Sequence, residues 1–405
     1  MTDAFRREVE RFNAFGTATT ARRFSEAACD IPLYVNEFWT SKQRAAHSLH
    51  EVSYRACFKP QLPRFFIERL TEPGQLVYDP FMGRGTTIIE AALLGRRPAG
   101  CDVNPLSGIL VGPRLDPPEL VEVEDRLGHL DLDAPVVVRD DLRVFFHATT
   151  LRAVTNLRRY LLDRAASHAL DRADRWIRMV ATNRLTGHSP GFFSVYTLPP
   201  NQAVTVAAQR KINESRGQVP PPRDVRRAIL KKSLSLLAKL QPEERRTLRT
   251  AAGAARLLTA SCSDTPAMSD GSVHLAVTSP PFLDTVNYQT DNWLRCWFNG
   301  IDAAAVEIWR IAQPHDWQAG MARVFAELTR ILVPGGHVAF EVGEVRAGRL
   351  FLETLVVPAA ETAGLIPRMV VVNDQAFTKT SQCWGVDNLK KGTNTNRIVL
   401  LQKRA

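Results

Sequence analysis

The sequence predicts an α/β fold, a mostly parallel sheet with a long helical insertion between two of its strands. Three observations carry this. Two apolar, β-branched runs of strand length, over 75–79 and 273–278, each stop at a rigid polar turn. The first runs on through a glycine-rich turn and an apolar helix into a second strand that ends in Asp102. After Asn104-Pro105 the alternation breaks. Residues 106–118 are rich in Pro and Gly, and about 130 residues of helical sequence follow before strand character returns at Arg256-Leu257-Leu258-Thr259.

Residues 1–45 mix charge with aromatics and end on Tyr34, Phe38 and Trp39. They are expected to form a helical arm packed on the main fold. His47 and His50 have a spacing that shares a helix face, but no nearby acid or thiol completes a metal site, and no metal is expected. The glycine turn is Asp79-Pro80-Phe81-Met82-Gly83-Arg84-Gly85-Thr86-Thr87. It lacks the Gly-Lys-Ser/Thr of a phosphate-binding loop and the Gly-x-Gly-x-x-Gly of dinucleotide folds. Its glycines admit a ligand close to the backbone, and Asp79 at its head suits a cation better than a pyrophosphate. The helix over 86–94 is closed by Gly95 just past its C-cap. Asp102, ending the next strand, can take both hydroxyls of a ribose. Strand, glycine turn, helix, strand and acid form one Rossmann-like half.

The insertion concentrates charge. Residues 151–255 hold twenty Lys and Arg against seven Asp and Glu, an excess above the +10 of the whole chain. Pairs such as Arg226-Arg227 and Lys231-Lys232 punctuate its helices and suit contacts to phosphates better than a merely solvated face. The turn-rich, aromatic stretch Thr186-Gly187-His188-Ser189-Pro190-Gly191-Phe192-Phe193-Ser194-Val195-Tyr196 reads equally as a reader of base edges and as an apolar plug under a helical lid. Pro199-Pro200-Asn201 and Pro220-Pro221-Pro222 break the helices around it.

Beyond Thr259 comes Ser261-Cys262-Ser263-Asp264, and then the run Val273-His274-Leu275-Ala276-Val277-Thr278 closes on Ser279-Pro280-Pro281-Phe282. Two prolines can neither donate to a ladder nor start a helix, so this is a rigid tip at a strand end. The Ser279 hydroxyl and the Pro280 carbonyl are two acceptors a few ångströms apart. They suit an NH₂ group, whose lone pair is drawn out of conjugation when both its protons are held. Phe282 offers a face for the ring that bears the amine. Tyr288 is close enough in sequence to help hold that ring. Trp293, Trp297 and Phe298 read as core. An amphipathic helix over 322–328 leads through Pro334-Gly335-Gly336 to a strand at 337–342, a helix over about 353–363 and closing strands at 367–373 and 397–402. The basic stretch Lys390-Lys391-Gly392-Thr393-Asn394-Thr395-Asn396-Arg397 reads as a hairpin loop or a backbone contact.

The glycine turn together with Thr278-Ser279-Pro280-Pro281-Phe282 resembles the amino-methylating DNA methyltransferases of the N4-cytosine and N6-adenine type. The resemblance implies a Rossmann-like sheet that uses S-adenosylmethionine. It assigns Asp79, Pro80, Phe81, Gly83, Gly85, Thr86 and Thr87 to the cofactor loop, and Asp102 with Asn104 to the ribose. Lys59 and Pro60 match the start of the helix that precedes that loop. Asp264 stands near the place that faces the cofactor adenine, where Cys262 or Ser263 can substitute. Ser279, Pro280, Pro281 and Phe282 match the catalytic tetrapeptide. Its Ser-Pro-Pro-aromatic form goes mostly with N4-cytosine, although Tyr is more usual than Phe at its last place. Because the insertion lies between the two motifs, the resemblance makes it the target-recognition region. Tyr288, His188, Arg226, Arg227, Lys231 and Lys232 are then the expected contacts to double-stranded DNA. A cognate restriction endonuclease is a compatible partner. The implied division is a 1–45 arm, a catalytic domain over 46–110 and 256–405, and an insertion domain over 111–255.

Composition limits the alternatives. A hydrophobic content of 45% over 405 residues is that of a globular protein. Six scattered cysteines without Cys-x-x-Cys spacing point to a reducing compartment and no structural zinc. None follows a proline, so the nucleophile of a C5-cytosine methylase is missing. No secretory leader and no apolar run near 18 residues is present, and a cytoplasmic location is expected. An N6-adenine methylase, an RNA base-amine methylase and a non-catalytic DNA-binding module remain the competing readings.

Overall fold

The computed structural model describes residues 2–405 except 27–28, 41–45, 55–56, 198–202, 284–287, 310, 346–348 and 375–394. Pro199-Pro200-Asn201 and most of the 390–397 stretch lie outside the described residues, as does the side chain of Tyr288. The chain opens with α1 (Thr2–Glu10) and then a hairpin, β1 (Thr20–Glu26) and β2 (Cys29–Asn36). The expected helical arm is therefore helical only in its first turns. β2 finds a parallel partner more than three hundred positions away, through pairs such as Leu33 with Val370, and that pairing overrides local pattern. Phe5 and Val9 of α1 pack into one apolar cluster with Phe38, Trp39, Phe65 and Phe66.

Next come α2 (Gln61–Leu70), β3 (Leu76–Asp79), α3 (Thr86–Leu93) and β4 (Arg97–Asp102). The insertion then runs α4 (Leu106–Leu115), α5 (Leu120–Gly128), α6 (Ala148–Ala166), α7 (Arg172–Arg184), α8 (Val206–Arg216), α9 (Val225–Leu237) and α10 (Pro242–Ala254). Local chemistry sets its boundaries. Asp171 and Asp174 form a reciprocal capping box at α7, Thr205 caps α8, Asp224 caps α9, and Pro242 opens α10. β5 (Arg256–Thr259), β6 (Val273–Thr278), α11 (Tyr288–Asn299), α12 (Pro314–Ile331) and β7 (Leu332–Val342) follow. The two-residue strands β8 (Glu344–Val345) and β9 (Leu350–Phe351) precede α13 (Glu353–Thr362), β10 (Leu365–Asn373) and β11 (Asn396–Lys403). Pro334-Gly335-Gly336 lies inside β7 rather than before it, with Gly335 at φ 75°.

The main sheet has the order β1-β2-β10-β11-β7-β6-β3-β4-β5. β5, β4, β3, β6 and β7 are parallel, and β11 enters antiparallel between β7 and β10. The fold is Rossmann-like, and the chain reverses its direction of strand addition between β3 and β6. Ligands of such sheets bind outside the strand ends at that point. Alternate residues face opposite sides: Val77, Leu275 and Val277 join the cluster under α1 and α2, whereas Tyr78, Ala276 and Val338 join the one under α12 and α13. The insertion has no separate core. Its Trp176, Ile177, Val225 and Leu248 belong to one apolar cluster with Leu49, Ile88 and Ile89.

Candidate active site

The ends of β3 and β6 are neighbours, paired through Val77 with Leu275 and Tyr78 with Ala276. This register brings together two motifs far apart in sequence. Thr278 Oγ1 donates to Asp79 Oδ1 at 2.6 Å, although the residues are 199 positions apart. The Phe81 amide donates to the same oxygen at 3.0 Å. Asp79 is not the free acid expected from sequence: it is 1% exposed, and burial pushes its carboxyl up to about 7.

The glycine turn is fixed from below and from the side. Gly85 takes φ 76° at the start of α3, and a Cβ there would stand 2.4 Å from Val111 Cγ2, so that no larger residue fits. Gly83 takes φ 48°, and its amide donates to Asp102 Oδ2 at 2.9 Å. Asp102 Oδ1 accepts from the Asn104 amide at 2.8 Å. Each carboxylate oxygen keeps a further lone pair, and the residue lines the cleft. Burial raises the Asp102 pKa. Beyond the turn, Arg114 donates to the Arg84 carbonyl and to Leu49 O, and Arg84 donates to Val52 O at 2.9 Å. These bonds pin the segment whose Tyr54, Cys57 and Phe58 make one wall of the cleft.

The strand-end tip makes another wall. Ser279 and Pro281 line the cleft. Trp317 Nε1 donates to Pro281 O at 2.9 Å and holds the tip. Ser279 hydrogen-bonds through its hydroxyl to Glu341, which is 5% exposed on β7, accepts from Asn396 Nδ2 at 2.8 Å, and is raised by burial to about 7. Ile308 and Trp309 also line the cleft. Arg323 lies 5.9 Å from one ring of Trp309, and the Phe81 ring meets it edge-on at 6.4 Å.

Of the residues expected from sequence, Asp79, Pro80, Phe81, Gly83, Thr86, Asp102, Asn104, Ser279 and Pro281 line this one cleft. Others support it from behind. Gly85 underlies the turn, Thr87 Oγ1 donates to Val277 O at 3.0 Å, and Pro280 is buried. Phe282 is half-buried against the core under α12. Lys59 and Pro60 stand at the start of α2, next to the lining residue Phe58, and burial lowers the Lys59 pKa. Asp264 is exposed outside the cleft, where Ala260, Ser261 and Cys262 take the place expected of it. Its acid is displaced by the turn in which the Asp264 amide bonds Ser261 O.

The expected DNA contacts divide. Arg226 turns inward and donates to the carbonyls of Leu127 and Leu130 at the end of α5, and Lys232 is paired with Glu51 at 3.4 Å. Burial lowers Lys232 to about 8. Neither is a surface phosphate contact. Arg227 and Lys231 are exposed on α9. The loop of His188 is a plug: Phe193 is buried on the insertion core, Val195 bonds Phe145 O, and the His188 ring lies 6.1 Å from Phe192. His50, paired with Glu90 at 2.6 Å, is a buried structural histidine. Sequence reasoning missed Tyr54, Phe58, Ser261, Trp309 and Glu341. Only Glu341 left a signal, as an acid inside the apolar run Ala339-Phe340-Glu341-Val342.

Residues 21–106, which contain the glycine turn, Asp102 and Asn104, match the family model described as DNA methylase. Part of the chain is also similar to two curated proteins. One is the type II methyltransferase M.MjaII of Methanocaldococcus jannaschii, 32% identical over 76 residues that cover 19% of this chain and 14% of that protein. The other is the type II methyltransferase M.MvaI of Kocuria varians, 30% identical over 112 residues that cover 27% of this chain and 24% of that protein. The chain thus spans less than a quarter of the length of either relative. Among solved structures, geranyl diphosphate C-methyltransferase from Streptomyces coelicolor A3(2) aligns with 85% of this chain and 80% of its own, at 9% identity and a TM-score of 0.34. Among the described residues no helix is long and apolar enough to cross a membrane.

Proposed function

We propose that the chain is an S-adenosylmethionine-dependent DNA methyltransferase that methylates the exocyclic N4 amine of cytosine. The observation that carries this is the junction of β3 and β6, which puts the Ser279 tip, the buried acid Asp79 and the glycine turn around one cleft. The cleft fits the cofactor by its donor set. Asp102 has spare lone pairs for the ribose, Gly83 brings the backbone of the turn to the cleft, and Asp79 can meet a sulfonium. When bound, S-adenosylmethionine supplies an electrophilic methyl group.

The protein's own work is positioning. A cytosine first leaves the duplex, which costs a few kcal/mol. The Ser279 oxygen and the Pro280 carbonyl accept the two protons of its amine. Because Ser279 gives its own proton to Glu341, its oxygen faces the amine as an acceptor. The nitrogen lone pair, freed from the ring, would be held in line with the methyl group that the bound cofactor would supply. S-adenosylhomocysteine would leave, one amine proton would pass to solvent, and alignment would supply much of the rate. No covalent intermediate with the enzyme is needed. The type II names of the relatives favour a restriction–modification setting with a partner endonuclease.

Mass spectrometry of digested DNA from cells expressing the protein or its Ser279→Ala variant tests the reading. N4-methylcytosine with the wild type and none with the variant is the expected result. N6-methyladenine would reassign the base while keeping the reaction. DNA without any modified base overturns the proposal.

A further inference from the structure

Half of the twenty Lys and Arg side chains over 151–255 are exposed, and several of the insertion's others are turned inward. Arg126 and Arg164 converge on the buried Asp174, Arg178 holds Asn299, and Arg245 caps the carbonyls of Pro117 and Pro118. Helix α8 departs from this pattern. Arg210, Lys211 and Arg216 are all exposed, and among the described residues none is in an ion pair. The one acid on α8 is Glu214.

Few apolar contacts hold the helix where it sits. Its single buried side chain is Gln209, and Val206 in its first turn is only partly buried against the insertion core. Amide bonds hold it instead: Gln209 Nε2 donates to Tyr196 O at 3.1 Å, and Asn213 Nδ2 donates to Val144 O at 2.7 Å. Its leading residues hang on α11. The Ala203 amide donates to Asp291 O at 3.1 Å, and Trp293 Nε1 donates to Val204 O at 3.1 Å. Since α11 is the helix that follows the Ser279 tip in the chain, α8 is braced to the element beside the reacting amine.

We propose that α8 is the surface that grips duplex DNA, with Arg210, Lys211 and Arg216 as phosphate contacts. This rests on the DNA reading above and adds the face that serves it. At about 1.5 Å per residue, α8 is roughly 16 Å long, enough to cross a major groove about 12 Å wide. Val219, 81% exposed just beyond its C-terminus, offers an apolar contact where no packing demands one. Arg216, stacked 3.9 Å over the Tyr196 ring, presents its guanidinium in a fixed plane. α9 also exposes Arg227 and Lys231, but among the described residues its side-chain bonds go to Glu51, the end of α5 and α7 and not to α11.

The test is binding of the full-length protein to a labelled random-sequence duplex over a salt series. The double variant Arg210→Ala/Lys211→Ala should bind roughly tenfold or more weakly, with a log–log salt slope shallower by about 1.8, or 0.9 per lost contact. Its S-adenosylhomocysteine affinity should equal that of the wild type, which reports an intact fold. The control Arg227→Ala/Lys231→Ala should keep the wild-type slope. A double variant with unchanged affinity and slope overturns the proposal, and so does an equal loss in the α9 control. Wild-type protein that binds no duplex at low salt instead overturns the DNA reading itself.

Discussion

Ser279 at the end of β6 hydrogen-bonds through its hydroxyl to the buried carboxylate of Glu341 on the neighbouring strand β7. The bond fixes which way the serine's proton points. With Glu341 ionised, the hydroxyl donates to it and offers lone pairs to the amine. With Glu341 protonated, that direction can reverse. We predict that the single-turnover rate rises with pH through about 7, where burial has placed Glu341, and then levels off. Glu341→Gln keeps an acceptor without a titration, so its profile should be flat across that range. A limb near neutral pH that survives in this variant would assign it to another group.

Asp79 is also held up to about 7 by burial, and it lines the same cleft. A sulfonium favours its ionised form, whereas the uncharged sulfur of S-adenosylhomocysteine does so far less. We predict that affinity for S-adenosylmethionine increases as pH rises through about 7 while affinity for the homocysteine product stays nearly level. Calorimetric titration of both ligands at several pH values checks this. Parallel pH curves for the two would remove Asp79 from contact with the charge.

Trp309 lines the same cleft as Asp102. Beside a ribose-holding acid, a π-face meets the base. Trp309→Ala is expected to weaken cofactor binding by about 1–2 kcal/mol, and Trp309→Phe by much less. Ser279→Ala should bind cofactor as the wild type does. Equal affinities for Trp309→Ala and wild type in the same titration would contradict the assignment.

The buried acids also set a stability profile. The folded pKa of Asp79 lies above its unfolded value of 3.8, so its contribution is fully present below that pH and is lost as pH climbs through about 7. Asp79→Asn keeps an acceptor for Thr278 and the Phe81 amide but cannot ionise. We predict that the variant gains on the wild type as pH rises from 4 to 8, by about 2–4 kcal/mol at most. Paired urea unfolding curves at both ends measure it, and a constant difference between the two proteins would refute the shift.

What was legible in the sequence was local. β3, the glycine turn, α3 and β4 are consecutive, and the strand-stopping prolines after Thr278 need no distant partner to be read. Asp102 and the turn could be paired because one crossover separates them. What was not legible depended on remote partners. β2 is a strand because β10 receives it, Arg226 is turned to the carbonyls at the end of α5, and Trp309 joins the cleft from a segment more than two hundred positions after Asp102. Charge count in the insertion measured how many arginines were present, not which way they point. Only the register of β3 against β6 turned two separate motifs into a single site.

The last strand in the chain, Asn396–Lys403, is an interior strand of the sheet, bonded to β7 on one side and β10 on the other. Within the sheet, β1, β2 and β10 are hydrogen-bonded to the parallel strands only through this one. Without it, β7 would carry an open edge. Removing residues 396–405 should therefore split the sheet rather than trim it.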